Sequence, residues 1–260
     1  MIFEPLGCTT NPFSESFTEK HVHRHSAFIS VLEQLQLFPE LGEFALLSAR
    51  TGLGKTTLLR TLMKDWKVPY DVTYLHLGSL KGSGLFRAIL YQLGERPRMG
   101  KDRMFSQLFG QLSKRNRPLC LLIDEAQLMD IASMTDLRLL CGNPELSDRL
   151  KLLLCGQPTL EKTMHAESLT DLRERLCLRL HLKPMAMTEA IDYIAHRLNG
   201  AGAKLSIFEE ESLQLIVNAS KGIPRKINGL AFRSMLATIQ KKENVIKANT
   251  VREIYASELS

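Results

Sequence analysis

No apolar run in this sequence approaches the ~20 residues that a membrane-spanning helix needs. The opening, MIFEPLGCTTNPF, also lacks the basic-then-apolar order of a signal peptide. The expected class is a soluble globular protein kept in the cytoplasm. Cysteine is sparse: five residues, at 8, 120, 141, 155 and 177, odd in number and never in a C-x-x-C pair. That pattern indicates neither a disulfide framework nor a zinc site, and Cys120 and Cys155 read as strand fillers. Internal repeats and low-complexity tracts are missing as well, so no repeat architecture is indicated.

What is present is a 44% hydrophobic content over 260 residues, enough for ordinary cores in one large or two moderate domains. The net charge of +6 is compatible with a polyanionic partner, although many proteins without one share it. Its distribution says more. Lys81, Arg87, Arg96, Arg98, Lys101 and Arg103 fall within 23 residues, with Glu95 the one acidic residue before Asp102. A solvated helix face is the plain alternative for such a cluster.

The stretch LLSARTGLGKTTLLR, residues 46–60, reads as a buried strand running into a phosphate-binding loop. In the pattern G-x-x-x-x-G-K-[ST], backbone N–H groups wrap phosphates, the lysine meets the terminal phosphates and the hydroxyl holds Mg²⁺. Gly54, Lys55 and Thr56 fit, while Ala49 stands where the first glycine is expected. The demand for φ > 0, or for room beside a phosphate, is greatest at Gly52 and Gly54, and both are present. Ala49 ends the strand in extended backbone and is read as tolerated. Thr51, Leu53 and Thr57 complete the loop. The apolar run Phe44–Leu47 before it and Leu58, Leu59 and Leu62 after it supply the strand-loop-helix context.

Strands and helices then alternate. DVTYLHL (71–77) reads as a strand and SGLFRAILYQLGE as a helix, followed by strands in PLCLLIDEAQLM, RLKLLLCGQP and LCLRLHLKP. The expected fold is α/β: a parallel five-stranded sheet with helices on both faces and ligands at the carboxyl ends of the strands. From residue 188 the pattern is purely helical. Ser206 and Glu209 match a capping box, a third helix runs from Pro224, and a short fourth follows Thr250. The expected division is 1–185, an N-terminal segment with the nucleotide-binding domain, and 186–260, a small helical lid.

LCLLIDEAQ closes an apolar strand with Asp124-Glu125, the arrangement of a Walker B strand. There the aspartate holds Mg²⁺ through water and the next carboxylate activates the attacking water, which favours hydrolysis over kinase chemistry. Gln157 ends the fourth strand where it could touch a γ-phosphate. Arg173, Arg175 and Arg179 lie before and within the fifth strand, where an arginine could serve a neighbouring subunit's nucleotide. Pairing with Glu167, Asp171 or Glu174 is the alternative. Arg225, behind Gly222 and Pro224, begins a helix from which it could reach back to the nucleotide.

Taken in order, G-x-G-K-T, LLIDEAQ, GQP-L, LRERL, HLKPM and GIPRKIN resemble the AAA+ ATPases of the ExeA type, a group related to the TnsC and MuB regulators of DNA transposition. The resemblance spans nearly the whole chain, including the opening NPFS and the helix from HRHSAF. It implies an ATPase that uses ATP and Mg²⁺, with Lys55 and Thr56 at the phosphates and metal and Asp124 and Glu125 as Walker B. It further implies Gln157 at sensor 1, Arg175 as the finger and Arg225 at sensor 2. In the transposition branch, rings or filaments assemble on double-stranded DNA without sequence preference and pass it to a transposase. The DNA contacts of that branch fall here on Lys81, Lys101 and Arg103. The resulting expectation is an ATP-switched homo-oligomeric regulator of transposition that works away from membranes. The alternative is a secretion or pilus-assembly ATPase acting on an envelope protein.

Overall fold

Five strands form one parallel sheet in the order β2-β3-β4-β1-β5. In the computed structural model, which describes residues 2–16, 22–78, 84–141 and 143–259, β1 (Phe44–Ser48), β3 (Leu119–Asp124) and β4 (Leu150–Gly156) are buried along their whole length. Continuous apolar runs behave this way when a parallel sheet is covered on both faces. The border strands β2 (Asp71–His76) and β5 (Leu176–His181) keep exposed positions, as their mixed sequences require. The parallel α/β sheet followed by helices is the fold expected from the sequence.

The helices in chain order are α1 (Ser26–Leu41), α2 (Lys55–Trp66), α3 (Gly84–Gln92), α4 (Lys101–Ser113), α5 (Ile131–Cys141), α6 (Pro158–Met164) and α7 (Thr170–Glu174). α8 (Met187–Gly200), α9 (Glu210–Ser220), α10 (Pro224–Gln240) and α11 (Ala248–Leu259) follow the sheet. The chain divides into two compact units, one comprising Ser30–Thr51 with Leu58–Leu182 and the other Met1–Ile29, Gly52–Thr57 and Lys183–Ser260. The sheet unit has its own core, in which Phe44, Leu46, Ile123 and Leu154 meet Leu85, Ile89 and Leu108 of α3 and α4.

In the helical unit Ile194, Leu198, Ile216, Ile227 and Met235 form the centre, and Leu6, Cys8 and Phe13 of the N-terminal segment belong to the same core. Polar bonds fix that segment further. Thr9 donates its N–H and its hydroxyl to the Ala201 carbonyl at 2.8 and 3.0 Å. The buried Arg197 guanidinium donates to the carbonyls of Pro12 (2.6 Å) and Ser14 (2.5 Å). Glu189 closes the start of α8: its carboxylate accepts the N–H of Ala186 at 2.9 Å and that of Ser26, at the start of α1, at 2.8 Å.

Two helix starts differ from the sequence expectation. Ser206 does not cap a helix: Leu205–Ile207 is a single 3₁₀ turn, and α9 begins only at Glu210. The reason is Phe208, which is buried in extended conformation, bridges Ile246 and leaves the Glu209 N–H to donate to the Ile246 carbonyl at 3.0 Å. Tertiary pairing overrides the local capping signal. The last helix starts at Ala248, ahead of Thr250, because the Glu209 carboxylate accepts the Ala248 N–H at 3.1 Å.

Candidate functional site

Asp124 is the last residue of β3 and is wholly buried. A carboxylate there needs partners. One oxygen accepts the Glu125 N–H at 2.9 Å and the other the Tyr74 hydroxyl at 2.9 Å. Tyr74 reaches it from β2, where His76 is the register partner of Asp124. Burial first, and then the negative charge of Asp124, push the Tyr74 phenol well above its usual range, so it stays a donor. His76 Nδ1 lies 3.8 Å from the same oxygen of Asp124 and is exposed.

Glu125 leaves the strand with φ +57° and ψ +34°, left-handed values uncommon for a residue with a side chain. The turn carries the chain from β3 straight into the 3₁₀ segment Ala126–Leu128. Its carboxylate accepts a bond from Gln127 Nε2 at 2.6 Å. The other end of that amide, Gln127 Oε1, accepts the Gln157 N–H at 3.0 Å. Gln157 precedes α6 as its N-cap, and its side chain makes no hydrogen bond among the described residues.

The phosphate-loop sequence follows β1. Ala49 is buried and its N–H donates to the Gly156 carbonyl at 3.0 Å, which prolongs the β1–β4 pairing by one residue. No left-handed backbone is needed there, and alanine suffices. The inner glycines differ: Gly52 has φ +85° and Gly54 φ +94°. A Cβ on Gly52 would lie 2.8 Å from Arg225 Cβ and 3.2 Å from Ile223 Cγ2, whereas beside Gly54 the space is open to 4 Å. Leu53 and Lys55 are buried, Thr56 and Thr57 are partly so, and Thr51 is exposed. Lys55 opens α2. Left-handed glycines, open space at Gly54 and the first turn of a 12-residue helix make a segment that fits a polyphosphate.

Arg225 sits in the first turn of α10, donates its N–H to the Gly52 carbonyl at 3.2 Å and carries an exposed side chain whose Nε is 3.5 Å from Glu15 Oε1. Gly222 ahead of it has φ +67°, and a Cβ there would fall 2.1 Å from the Met185 carbonyl oxygen. Arg175, at the end of α7, is exposed, with one long bond of 3.4 Å to the Cys141 carbonyl. Asp171 pairs instead with Arg138 at 2.6 Å, and Arg173 bonds Met164 and Thr170.

Of the three residues expected at DNA, Lys81 lies outside the described residues. Lys101 is half-exposed, but its ammonium is held 2.6 Å from the buried Asp136 of α5. Arg103 is exposed, as are Arg87, Arg96 and Arg98. Gln107 of α4 ties down the connecting loop by bonding the Arg98 N–H and the Arg96 carbonyl.

Two residues at the β3 end carry contacts that the sequence reading did not assign. Tyr74 sits two places before the end of a strand, a position where a polar tip can reach its neighbour's last residue. Gln127 lies inside the DEAQ string itself. Among the described residues there is no cluster of three or more His, Cys, Asp or Glu able to hold a metal, and no helix long and apolar enough to cross a membrane.

Residues 40–164 match the family described as AAA domain. General secretion pathway protein A of Aeromonas hydrophila is 30% identical over 250 residues, covering 93% of this chain and 45% of that protein. The chain spans less than half the length of the curated relatives it matches. Among solved structures, Cdc6p from Pyrobaculum aerophilum superposes with a TM-score of 0.71 at 20% identity, covering 90% of this chain and 67% of that one. The ORC2 protein of Aeropyrum pernix gives 0.69 at 16% identity, covering 94% and 71%. These likenesses are of fold.

Proposed function

We propose that this chain, which belongs to the AAA+ ATPases through the AAA domain of residues 40–164, hydrolyses ATP to ADP and phosphate and uses that cycle to assemble on double-stranded DNA as a regulator of transposition. In this reading residues 186–260 act as a lid on a nucleotide-binding part formed by 1–185, and the work is done in the cytoplasm. Ala49 to Thr57 hold the phosphates, with Lys55 compensating their charge. Glu125 takes the proton of the attacking water, Gln157 meets the γ-phosphate, and Arg175 of one subunit reaches the nucleotide of the next. Arg225 senses the nucleotide from α10. Mg²⁺, held by Thr56 and through Asp124, would neutralise the β- and γ-phosphate oxygens.

The observation that carries the DNA part is the row of exposed guanidinium groups at Arg87, Arg96, Arg98 and Arg103 along α3, the following loop and α4. Lys101 and Lys81 belong to the same segment of sequence. Contacts of this kind go to phosphates and read no bases. Oligomer formation would add them along one duplex, which makes binding depend on ATP. A transposase or target-selection protein is then the partner recruited.

A second reading, secretion or pilus assembly with an envelope protein as partner, is favoured by the 30% identity to General secretion pathway protein A. Fluorescence anisotropy of labelled duplex across a salt series, with an ATP analogue, ADP or no nucleotide, separates the two. The first reading expects analogue-dependent binding whose log–log salt slope is about −0.9 per phosphate neutralised. Arg103→Ala should lower that slope by about one per subunit. Undetectable binding at low salt with the analogue moves the assignment to the second.

A further inference from the structure

Gln127 joins two groups that the proposed reaction uses. Its Oε1 accepts the Gln157 N–H at 3.0 Å and its Nε2 donates to Glu125 Oε2 at 2.6 Å. Because a backbone N–H can only donate, the bond from Gln157 decides which end of the amide faces Glu125. That end is a donor. One oxygen of the Glu125 carboxylate is therefore held, and the other is left to accept a proton. This is the one hydrogen bond to that carboxylate among the described residues.

The chain reserves room for the amide. A Cβ on Gly156 would lie 2.7 Å from Gln127 Oε1, 3.3 Å from the Gln127 nitrogen and 2.9 Å from Leu160 Cδ2. Gly156 is not among the glycines with positive φ. Its backbone would suit any residue, so space, and not conformation, is what glycine provides here. The left-handed turn at Glu125 brings residues 125 and 127 to bond each other across a single intervening alanine.

We propose that Gln127 is a positioning residue: it aims the Glu125 carboxylate and ties it to the backbone of Gln157, so that the group taking the water's proton moves with the β4–α6 junction. The proposal rests on Glu125 being the water-activating group. Gln127 itself forms and breaks no bond in hydrolysis; the water proton goes to Glu125, the water oxygen bonds to the γ-phosphorus, and the bond from that phosphorus to the β–γ bridging oxygen breaks, so that ADP leaves with the electron pair. A displaced carboxylate is expensive, because a misplacement of about 1 Å can cost on the order of 10² in rate.

The test is steady-state ATP hydrolysis as a function of ATP concentration for wild type, Gln127→Ala, Gln127→Glu and Glu125→Gln. Binding of a fluorescent ATP analogue is measured alongside. Gln127→Ala should lower kcat by on the order of 10² with KM and analogue affinity within about twofold. Gln127→Glu keeps the size of the side chain, so it covers the case in which the alanine variant does not fold. It also exchanges the amide donor that holds Glu125 for a carboxylate that has no N–H to give, so its kcat should likewise fall by on the order of 10² with KM and analogue affinity within about twofold. A side chain that merely supports the turn would leave kcat unchanged in Gln127→Glu, and wild-type kcat in that variant overturns the proposal. Wild-type kcat in Gln127→Ala, with Glu125→Gln inactive, also overturns the proposal and leaves the site assignment standing. Wild-type turnover in Glu125→Gln overturns the site assignment and the proposal together.

Discussion

Gly52→Ala and Gly54→Ala form a matched pair, since both glycines are left-handed, at φ +85° and +94°, but only Gly52 has neighbours in the way of a Cβ. Forcing alanine into left-handed backbone costs roughly 1–2 kcal/mol at either position. At Gly52 the new methyl would also lie 2.8 Å from Arg225 Cβ and 3.2 Å from Ile223 Cγ2. Arg225 Cβ is fixed to the helix backbone and cannot swing aside as the end of a side chain could. Overpacking of this kind adds about 1–3 kcal/mol. Gly52→Ala should therefore cost roughly 2–5 kcal/mol, and Gly54→Ala about 1–2. Urea denaturation of the nucleotide-free protein, followed by far-UV circular dichroism, reads the difference. ATP binding should rank the two less steeply, because at Gly54 the methyl enters the open space that the phosphates would use. Equal destabilisation by the two substitutions would refute the steric argument at Gly52.

Tyr74→Phe removes the hydroxyl from a fully buried Asp124 and should cost about 1–3 kcal/mol in the same denaturation experiment; a loss under roughly 0.3 kcal/mol would mean the bond contributes little. Lys101→Ala leaves the Asp136 carboxylate buried without its ammonium, and since Lys101 is half-exposed the expected loss is about 1–3 kcal/mol, below that of a fully buried pair. Unchanged stability would show that water replaces the lysine. Hydrogen bonds from Ser26 first, and then from Ala186, hold the Glu189 carboxyl down to about 2. Its contribution is present above the ordinary unfolded value of about 4.3 and is lost as pH falls toward 2, so Glu189→Gln should flatten the acid side of a melting-temperature profile. An identical profile would contradict that coupling. His23 and His25 are both held below the ordinary histidine value, first by burial. Their sign has the same sense: stability is complete above about 6.5 and declines as pH drops below it. Replacing both by glutamine should reduce the loss between pH 7 and 5.

Largely apolar runs made β1, β3 and β4 legible, because a strand buried on both faces is filled mostly by apolar side chains. Gly52 and Gly54 could be singled out from spacing alone, and their positive φ follows from the loop's need for left-handed turns. The Ala49 substitution was readable for the same reason in reverse, since the position only extends a strand. Long-range pairing was not legible. Phe208 meets Ile246 across nearly forty residues and cancels a capping box that looks sound locally. Lys101 is claimed by Asp136, 35 positions away, in a pair that no charge count over residues 81–103 could reveal. The N-terminal segment joins the helical unit's core through Leu6 and Phe13, which are unremarkable in sequence. Gln127 was visible in DEAQ, but its role depends on the Gln157 N–H, and strand pairing alone brings β3 and β4 side by side.

Phosphate release by the purified chain with ATP and Mg²⁺, measured for wild type, Lys55→Ala and Glu125→Gln together with binding of a fluorescent ATP analogue, tests the assignment of an ATP-hydrolysing site most directly. The wild type should turn over ATP, and Lys55→Ala should lose analogue binding. Glu125→Gln should retain binding with hydrolysis slowed by on the order of 10² or more, because only the proposed water-activating group is replaced. Wild-type turnover in Glu125→Gln, or undiminished analogue binding in Lys55→Ala, would contradict the assignment.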